Sequence, residues 1–400
     1  MTDQRPVLIA GGGIGGLTAA IAFGREAIES HVLERSAFDN EAGAGIQLGP
    51  NANRILGPLG VLDALMPKTF RPEAVRLFDG VSGKTLATMP LGDKAERRYG
   101  APYLTAHRAD LHEALRSVAA SAGHVTLTPN FTVADIEDGD GITVASLDGS
   151  RVEGSALVGA DGIWSTVRKW IAPQAGLAFT GATAFRSLLP LHRLPPPFSE
   201  PIVGLWLGPR THLVHYPVRG GEALNVVAVT ETGRKEDGWN RSAETGTVRA
   251  NFTRWCETAQ GLIESAQSWR AWSLFSLSAL PHWHRGSVTL LGDAAHPVLP
   301  YLAQGAALAI EDAAKLAGLW GGARERPAHV FDAFETIRRA RAERVRRTSQ
   351  RLGRAYHMGG AGLDSMTLGS MARFARNAIL GLRGEDATLR AFDWLYGEGR

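Results

Sequence analysis

The first residues of the chain follow the hydrophobic pattern of a βαβ unit. Residues 7–10 form an apolar run long enough for a buried parallel strand. A glycine-rich turn at 11–16 follows, then helical spacing over 17–23 and a second strand-like run at 31–34. This order predicts a parallel sheet that begins at the N-terminus.

The pattern changes between about residues 175 and 285. Three prolines at 195–197 mark a loop, and in this region Trp and β-branched residues alternate with polar ones, with strand-like runs at 202–207, 211–216 and 224–230. Such alternation between turn signals is typical of antiparallel strands. Residues 248–268 have helical spacing. We therefore expect a second sheet inserted into the first domain.

The buried-strand pattern returns at residues 288–291 and leads to a predicted helix at about 304–320, followed by mostly helical sequence over 328–398. The sequence thus predicts an α/β protein in which the last buried strand rejoins the first sheet. The expected divisions are a nucleotide-binding domain at 1–175 and 286–350, a sheet domain at 176–285 and a helical C-terminal region at 351–400.

Composition narrows the class of protein further. The 43 basic and 40 acidic residues give a net charge of +3, which does not by itself imply a polyanionic partner. Cys256 is the one cysteine, so neither a disulfide framework nor a thiolate metal site is expected. The glycine turn follows the first residues directly, leaving no room for a signal peptide, and no apolar run approaches the ~18 residues of a membrane span. We expect a cytoplasmic protein.

The glycine turn has the spacing of a dinucleotide fingerprint. Gly11, Gly13 and Gly16 form GxGxxG between the predicted strand and helix, where backbone N–H groups and the helix dipole favour a pyrophosphate. Glu34 lies 23 positions after Gly11, at the end of the next strand, where a carboxylate accepts hydrogen bonds from a ribose. These residues alone leave NAD and FAD as alternatives.

Two later turns each place an aspartate after a buried strand. Asp161 lies in a Gly-Ala-Asp-Gly sequence at 159–162, and Asp293 lies in Leu-Gly-Asp-Ala at 291–294. Ligands of open α/β sheets bind at the carboxyl ends of the strands, so either carboxylate could hold a sugar-alcohol hydroxyl. The alternative is that each aspartate caps the helix that follows it.

The three turns, in this order and spacing, resemble those of the class A flavoprotein monooxygenases, the family of p-hydroxybenzoate hydroxylase, over residues 5 to about 350. The resemblance implies a Rossmann-like FAD-binding domain of the glutathione reductase type with an inserted antiparallel-sheet substrate domain. It implies tightly bound FAD, NADH or NADPH as a transient reductant, and O2 that reacts through a C4a-hydroperoxyflavin with a small aromatic substrate. A second GxGxxG for the nicotinamide cofactor is absent from the sequence.

The resemblance also implies a role for individual residues. Glu34 would hold the adenosine ribose, Arg35 would lie near the adenine or diphosphate, and Asp293 would bind the ribitol chain. The helix after Gly305 would point its N-terminus at the flavin pyrimidine edge. The implied cofactor-binding residues are Gly11, Gly13, Ile14, Gly15, Gly16, Glu34, Arg35, Gln47, Arg108, Asp161, Asp293, Pro300, Gly305 and Ala306.

The strand predicted at 211–216 carries the candidate catalytic groups. His212 and Tyr216 share one face, and about 13 Å of backbone separates them, which allows their side chains to converge on one aromatic ring. The His-x-x-x-Tyr-Pro spacing resembles the subgroup of 3-hydroxybenzoate 6-hydroxylase and 6-hydroxynicotinate 3-monooxygenase. We hypothesise that His212 accepts the phenol proton, with Gln304 and Tyr216 holding the ring substituents.

The expected substrate is 3-hydroxybenzoate, converted to 2,5-dihydroxybenzoate, with decarboxylating salicylate hydroxylation and 6-hydroxynicotinate as alternatives. Arg186 and Arg219 are candidates for the substrate carboxylate. A flavin-dependent NAD(P)H oxidase or reductase that transfers no oxygen is the alternative from another class. Eight arginines at 337–354 are interpreted as an amphipathic helix packed on the FAD domain rather than as a nucleic-acid site, and a homodimer is expected.

Overall fold

The computed structural model describes residues 5–38, 44–233, 241–321, 327–358, 373, 376–378 and 384–397. The strands in these ranges are β1 (Val7–Ala10), β2 (Ser30–Leu33), β3 (Gly45–Leu48), β4 (Ala74–Asp79), β5 (Thr85–Pro90), β6 (Leu104–His107), β7 (Val125–Thr128), β8 (Val133–Gly139), β9 (Gly141–Ser146), β10 (Arg151–Gly154), β11 (Ala156–Gly159), β12 (Leu177–Pro190), β13 (Ile202–Gly208), β14 (Thr211–Val218), β15 (Ala223–Thr230), β16 (Arg241–Ala243), β17 (Trp269–Leu277), β18 (His284–Arg285) and β19 (Val288–Leu290). The helices are α1 (Ile14–Arg25), α2 (Pro50–Leu56), α3 (Val61–Leu65), α4 (Gly92–Tyr99), α5 (Arg108–Ser121), α6 (Thr166–Ile171), α7 (Thr245–Arg249), α8 (Glu257–Glu264), α9 (Gly305–Trp320), α10 (Pro327–Tyr356), α11 (Glu385–Arg390) and α12 (Asp393–Tyr396).

The first sheet contains the strands of the predicted nucleotide-binding domain. Within the described ranges its order is β18-β19-β11-β1-β2-β7, and all pairs are parallel except that of β18 with β19. The short strands β1 and β11 are buried along their whole length, as apolar strands covered on both faces must be. The return of β19 to this sheet confirms that the chain leaves the domain and rejoins it.

The second sheet is larger than the sequence indicated. The predicted strands at 202–207, 211–216 and 224–230 are β13, β14 and β15, which pair antiparallel. The described strands follow the order β16-β17-β12-β15-β14-β13-β4-β5, and β4 runs parallel to β13. The predicted antiparallel strands are therefore joined by β4 and β5 from far earlier in the chain, and β4 adds one parallel pair.

The helical regions also differ in detail from the prediction. The expected helix at 248–268 is two short helices, α7 and α8. The long arginine-rich helix α10 packs on α9, and its Arg338 and Arg341 are buried in ion pairs with Glu311. Much of the predicted helix beyond residue 358 lies outside the described residues. In the part of the chain that is described, no helix combines the length and apolar character needed to cross a membrane.

Candidate active site

The glycine turn between β1 and α1 has three positions with different steric demands. Gly11 has φ +104, and a Cβ there would lie 2.5 Å from the carbonyl oxygen of Ala160. A Cβ on Gly16 would lie 1.9 Å from the carbonyl oxygen of Gly11, so the third glycine allows the helix to pack on the turn. A Cβ on Gly13 would meet no atom within 4 Å, which leaves open space in front of the α1 N-terminus.

A cavity of about 410 Å³ lies in front of this turn. Glu34, Arg35 and Arg108 line it, together with Gly11 and Asp161. The Glu34 carboxylate accepts hydrogen bonds from the backbone N–H groups of Gly12, at 2.6 Å, and Ser36, at 2.9 Å. These bonds hold an acceptor at the end of β2, where a ribose would be bound.

A second cavity, of about 350 Å³, continues from the first. Arg108 and Gly13 line both cavities, so the two form one elongated groove. Gly16 lines neither, in keeping with its packing position. The other predicted residues that line the second cavity are Ile14, Gly15, Gln47, His212, Tyr216, Asp293, Pro300, Gln304, Gly305 and Ala306. The groove therefore brings the cofactor and catalytic candidates together.

Asp161 caps the helix that follows it. Its carboxylate accepts hydrogen bonds from the backbone N–H groups of Thr166, at 2.7 Å, and Val167, at 3.1 Å, and from the Ser165 hydroxyl. Burial raises the pKa of Asp161, and these hydrogen bonds oppose the rise. The capping alternative thus describes the geometry of Asp161, which also lines the first cavity.

Asp293 differs from Asp161 because its side chain is exposed to the second cavity. A Cβ on Gly305 would lie 4.0 Å from Asp293 Oδ1, so the carboxylate sits beside the start of α9. The surrounding protein raises the pKa of Asp293 by desolvation, while His296, Arg108 and Arg168 oppose the rise. An acceptor in this place suits a sugar-alcohol hydroxyl.

A buried ion network fixes the Gly-Asp turn to α9. Asp312 accepts a hydrogen bond from the backbone N–H of Gly292 at 3.1 Å, and its Oδ2 lies 2.6 Å from His296 Nε2. Arg338 Nε donates to its other oxygen at 2.6 Å. His296 and Arg338 hold the pKa of Asp312 well below its usual range, against desolvation. His296 is therefore part of the support of the turn.

Strand β14 presents His212, Val214 and Tyr216 to the second cavity, as the alternation of a strand predicts. His215 points the other way, where its ring lies 5.0 Å from that of Phe198. Burial raises the pKa of Tyr216 to about 12, so its hydroxyl keeps its proton at neutral pH and can donate a hydrogen bond.

Of the two candidates for the substrate carboxylate, Arg186 lines the second cavity and its guanidinium carbon lies 4.9 Å from the Trp272 ring centroid. Arg219 instead lies 3.8 Å from Asp110. The position of Arg186 on β12 places a cation beside the face of β14 that carries Tyr216. Arg186 is therefore the better placed of the two.

The side-chain amide of Gln304 is oriented by its neighbours. Asn51 Nδ2 donates to Gln304 Oε1 at 3.0 Å and to Glu311 Oε1 at 2.6 Å. Because Gln304 Oε1 already accepts a hydrogen bond, the NH2 group of Gln304 is the part of the side chain that can donate to a substrate oxygen. Gln47 is fixed in the same manner, since its Oε1 accepts a hydrogen bond from the Tyr103 hydroxyl at 2.7 Å.

A third, narrower cavity of about 90 Å³ adjoins the second. His212, Gln47 and Pro300 line both, and the walls of the third combine aliphatic side chains with five aromatic ones. The aromatic residues are Tyr103, Tyr301, Tyr356, Phe392 and Tyr396. Sequence reasoning missed Tyr103, Tyr356 and Tyr396, since each comes from an element distant in sequence and lies in no recognisable motif.

His212 stands where the two cavities meet and is 3% exposed. Its Nδ1 lies 2.8 Å from Nε2 of His357, a residue that sequence reasoning also missed. Burial lowers the pKa of His212 well below its usual value. The imidazole is therefore neutral at neutral pH, and one of its ring nitrogens carries a lone pair.

The glycine turn, Glu34 and the two aspartate turns around one groove define a dinucleotide-binding oxidoreductase. Residues 4–349 match the family described as "FAD binding domain", and the chain belongs to that family as an FAD-dependent aromatic hydroxylase. Hydroxylases of this kind take their electrons from NAD(P)H. The open space at Gly13 and the acceptors Glu34 and Asp293 fit FAD, the cofactor that gives the family its name.

Two curated relatives are similar over most of their length. The chain is 35% identical over 394 residues to 3-hydroxybenzoate 6-hydroxylase from Polaromonas naphthalenivorans (strain CJ2), covering 98% of this chain and 96% of the relative. It is 37% identical over 360 residues to 3-amino-4-hydroxybenzoate 2-monooxygenase PtmB3 from Streptomyces platensis, covering 90% of each.

Among solved structures, HpxO from Klebsiella pneumoniae, complexed with FAD and uric acid, has the same fold. Its TM-score with this chain is 0.84 at 22% identity, with 99% of this chain and 97% of that chain covered.

Proposed function

We propose that the protein hydroxylates 3-hydroxybenzoate to 2,5-dihydroxybenzoate, with FAD, NAD(P)H and O2. The observation that carries this proposal is the position of His212, a buried neutral imidazole at the junction of the groove and the aromatic cavity. The near full-length relative that bears the name 3-hydroxybenzoate 6-hydroxylase supports the choice of substrate. A phenol is a substrate that a base in this place would activate.

Bound FAD supplies the reduction of O2 and the transfer of one oxygen atom to the ring. His212 accepts the phenol proton at Nε2, since its Nδ1 is engaged with His357. The resulting phenolate is a more electron-rich ring than the phenol and reacts more readily with an electrophilic oxygen. The side chains that line the third cavity would exclude water from the substrate ring, while the phenol oxygen would stay beside the His212 imidazole.

The substrate's polar groups would meet three other side chains. The Gln304 NH2 group would donate to the phenol or carboxylate oxygen, and Tyr216 would donate to the far substituent. Arg186 would pair with the substrate carboxylate. Without this pair, moving the carboxylate from water into the cavity would be unfavourable. Together these groups would fix the ring position that faces the cofactor.

We further propose that the predicted cofactor residues hold FAD along the groove. Glu34 and Arg35 would contact the adenosine end, Arg108 the diphosphate or ribityl portion and Asp293 the ribitol hydroxyls. The N-terminus of α9, at Gly305 and Ala306, would face the flavin ring and stabilise negative charge on it.

The test is a substrate panel with identification of the product. Purified FAD-loaded protein receives 3-hydroxybenzoate, salicylate, 6-hydroxynicotinate or, as a control without a phenol, benzoate, with NADH or NADPH and ¹⁸O2. We expect 3-hydroxybenzoate to stimulate NAD(P)H oxidation and to yield labelled 2,5-dihydroxybenzoate. NAD(P)H consumption without labelled product would instead identify an oxidase, and labelled product from salicylate or 6-hydroxynicotinate alone would identify the alternative substrate.

We also propose a cytoplasmic location and a homodimer. The single cysteine, Cys256, and the use of NAD(P)H favour a reducing compartment. The oligomeric state is a prediction to be checked by sedimentation equilibrium of the FAD-loaded protein.

A further inference from the structure

His212 is the first member of a chain of three hydrogen-bonded side chains. Its Nδ1 lies 2.8 Å from His357 Nε2, and His357 Nδ1 lies 2.6 Å from Glu231 Oε1. The His357 side chain is 4% exposed and that of Glu231 is 42% exposed. The chain therefore leads from the cavity junction to the protein surface.

The carboxylate at the surface determines which ring nitrogens carry hydrogen. Ionised Glu231 only accepts, so His357 Nδ1 donates to it, and in the neutral form of His357 the lone pair is then on Nε2. His212 Nδ1 then donates to that lone pair, which leaves the His212 lone pair on Nε2. This is the tautomer that a base facing a bound phenol requires.

The groups around the chain favour an ionised Glu231. Hydrogen bonding to His357, together with the charge of Arg210, lowers the pKa of Glu231. Arg210 also donates through Nη2 to the Glu231 backbone oxygen at 2.7 Å. Tyr301 and Tyr356 face the imidazoles, with ring centroids 5.3 Å and 5.7 Å from that of His212. Burial raises the pKa of both tyrosines, so they remain neutral near pH 7.

A proton left on His212 would create an imidazolium in a buried site. Desolvation opposes that charge. The charge on His212 is avoided if two proton transfers occur together. The phenol O–H bond breaks as the His212 Nε2–H bond forms. At the same time the His212 Nδ1–H bond breaks as the His357 Nε2–H bond forms. The positive charge then appears on His357, beside the Glu231 carboxylate, and the His357 Nδ1 proton can pass through Glu231 to water.

We propose that His357 and Glu231 are positioning residues that form a proton relay from His212 to solvent. The proposal rests on the proposed role of His212 as the base. It adds two residues that the sequence motifs do not include, one following α10 and one following β15. The alternative is that the same bonds merely attach the end of α10 to the second sheet.

Proton release on substrate binding distinguishes the relay from this attachment. FAD-loaded protein is mixed with 3-hydroxybenzoate without reductant in weakly buffered solution containing a pH-indicator dye. We expect one proton released per bound phenol by the wild type, and release at least about tenfold slower in Glu231→Gln and His357→Gln. Glu231→Gln keeps a hydrogen-bond acceptor, so its FAD content and Tm should stay near wild type.

Two comparisons complete the test. Glu222→Gln removes an exposed carboxylate elsewhere in the sheet domain and should release the proton at the wild-type rate. Added imidazole should accelerate release in Glu231→Gln, because a small mobile base replaces the missing acceptor. Wild-type release rates in both relay variants, or no proton release from the wild type, would overturn the relay. If another phenol from the panel proves to be the substrate, it replaces 3-hydroxybenzoate, so an error in substrate is separable from an error in the relay.

Discussion

At the scale of single residues, His212 is the group on which the proposed chemistry depends. Replacement by alanine removes the base, so the phenol must ionise in solution before it can react. We expect His212→Ala to lower the rate of product formation by about 10²-fold at neutral pH, and the rate to recover as the pH rises towards the phenol's own pKa. The rate of product formation, measured across pH, checks this expectation.

A matched control is His124→Ala, which removes a partly exposed imidazole from the first domain and should leave the pH profile unchanged. Equal rates of product formation in His212→Ala and wild type at neutral pH would show that the imidazole is not the base. FAD content of each variant must be equal, so that loss of cofactor is not mistaken for loss of the base.

The same residues show how far a sequence predicts a site. His212 and Tyr216 were predicted on one wall because alternation along a strand is a local rule. The orientation of the Gln304 amide was not predictable, since Asn51 sets it from 253 positions away. His357 was missed for the same reason: its contact with His212 spans 145 positions, and no motif marks a histidine at the end of α10.

At the scale of elements, α9 depends on its contacts with α10 for its place beside the groove. Asp312→Asn keeps the size of a fully buried side chain but leaves Arg338 and His296 facing an amide in place of a carboxylate. Removing one charge of a buried ion pair leaves the other charge buried without compensation. We therefore expect the free energy of unfolding to fall by about 3 kcal/mol. Urea denaturation measures this, and the ratio of flavin to protein should fall because the Gly-Asp turn loses its anchor.

Glu343→Gln is the matched control, because Glu343 pairs with Arg346 and Arg347 on the outer part of α10. These pairs are partly solvated, and we expect a change of about 1 kcal/mol or less. A loss in Asp312→Asn no greater than in Glu343→Gln would contradict a role for the buried network in holding α9.

Element prediction succeeded where hydrophobic pattern and turn chemistry are local. The strand, glycine turn and helix at β1 and α1 follow directly from residues 7–23. It failed for β4 and β5, because the pairing of β4 with β13 joins segments more than a hundred residues apart. Burial of Arg338 was also unexpected, since a basic helix normally exposes its charges, and here α9 supplies the carboxylates that permit it.

At the scale of the whole molecule, the groove lies where the two sheets and the C-terminal helices meet. The first sheet supplies the glycine turn, the second supplies β14, and α12 contributes Tyr396 to the aromatic cavity. The C-terminal segment is held by hydrogen bonds such as that from the Tyr99 hydroxyl to the Leu389 carbonyl at 2.7 Å. The site is therefore shared among both sheets and the C-terminal helices of the described residues, so its geometry depends on how these parts pack together.

Burial of neutral histidines should make the folded protein sensitive to acid. Burial lowers the pKa of four imidazoles, and for His215 the value is about 3; the four are His31, His107, His212 and His215. In the unfolded chain these groups take up protons below about pH 6.5, so the unfolded state binds more protons and stability falls as the pH falls. For His215 the loss continues down to a pH of about 3.

His215→Leu tests, at one position, the expectation that stability falls as the pH falls. Both ring nitrogens of His215 are buried without a hydrogen-bond partner among the described residues, so leucine breaks no hydrogen bond there. We expect urea denaturation to show higher stability than wild type at acidic pH, with an advantage that grows by about 1.4 kcal/mol for each pH unit below about 6.5. The stability difference between His215→Leu and wild type could instead be the same above and below the histidine pKa of the unfolded chain. Proton uptake at His215 would then not be a source of acid sensitivity, because linkage requires the number of bound protons to differ between the folded and unfolded states.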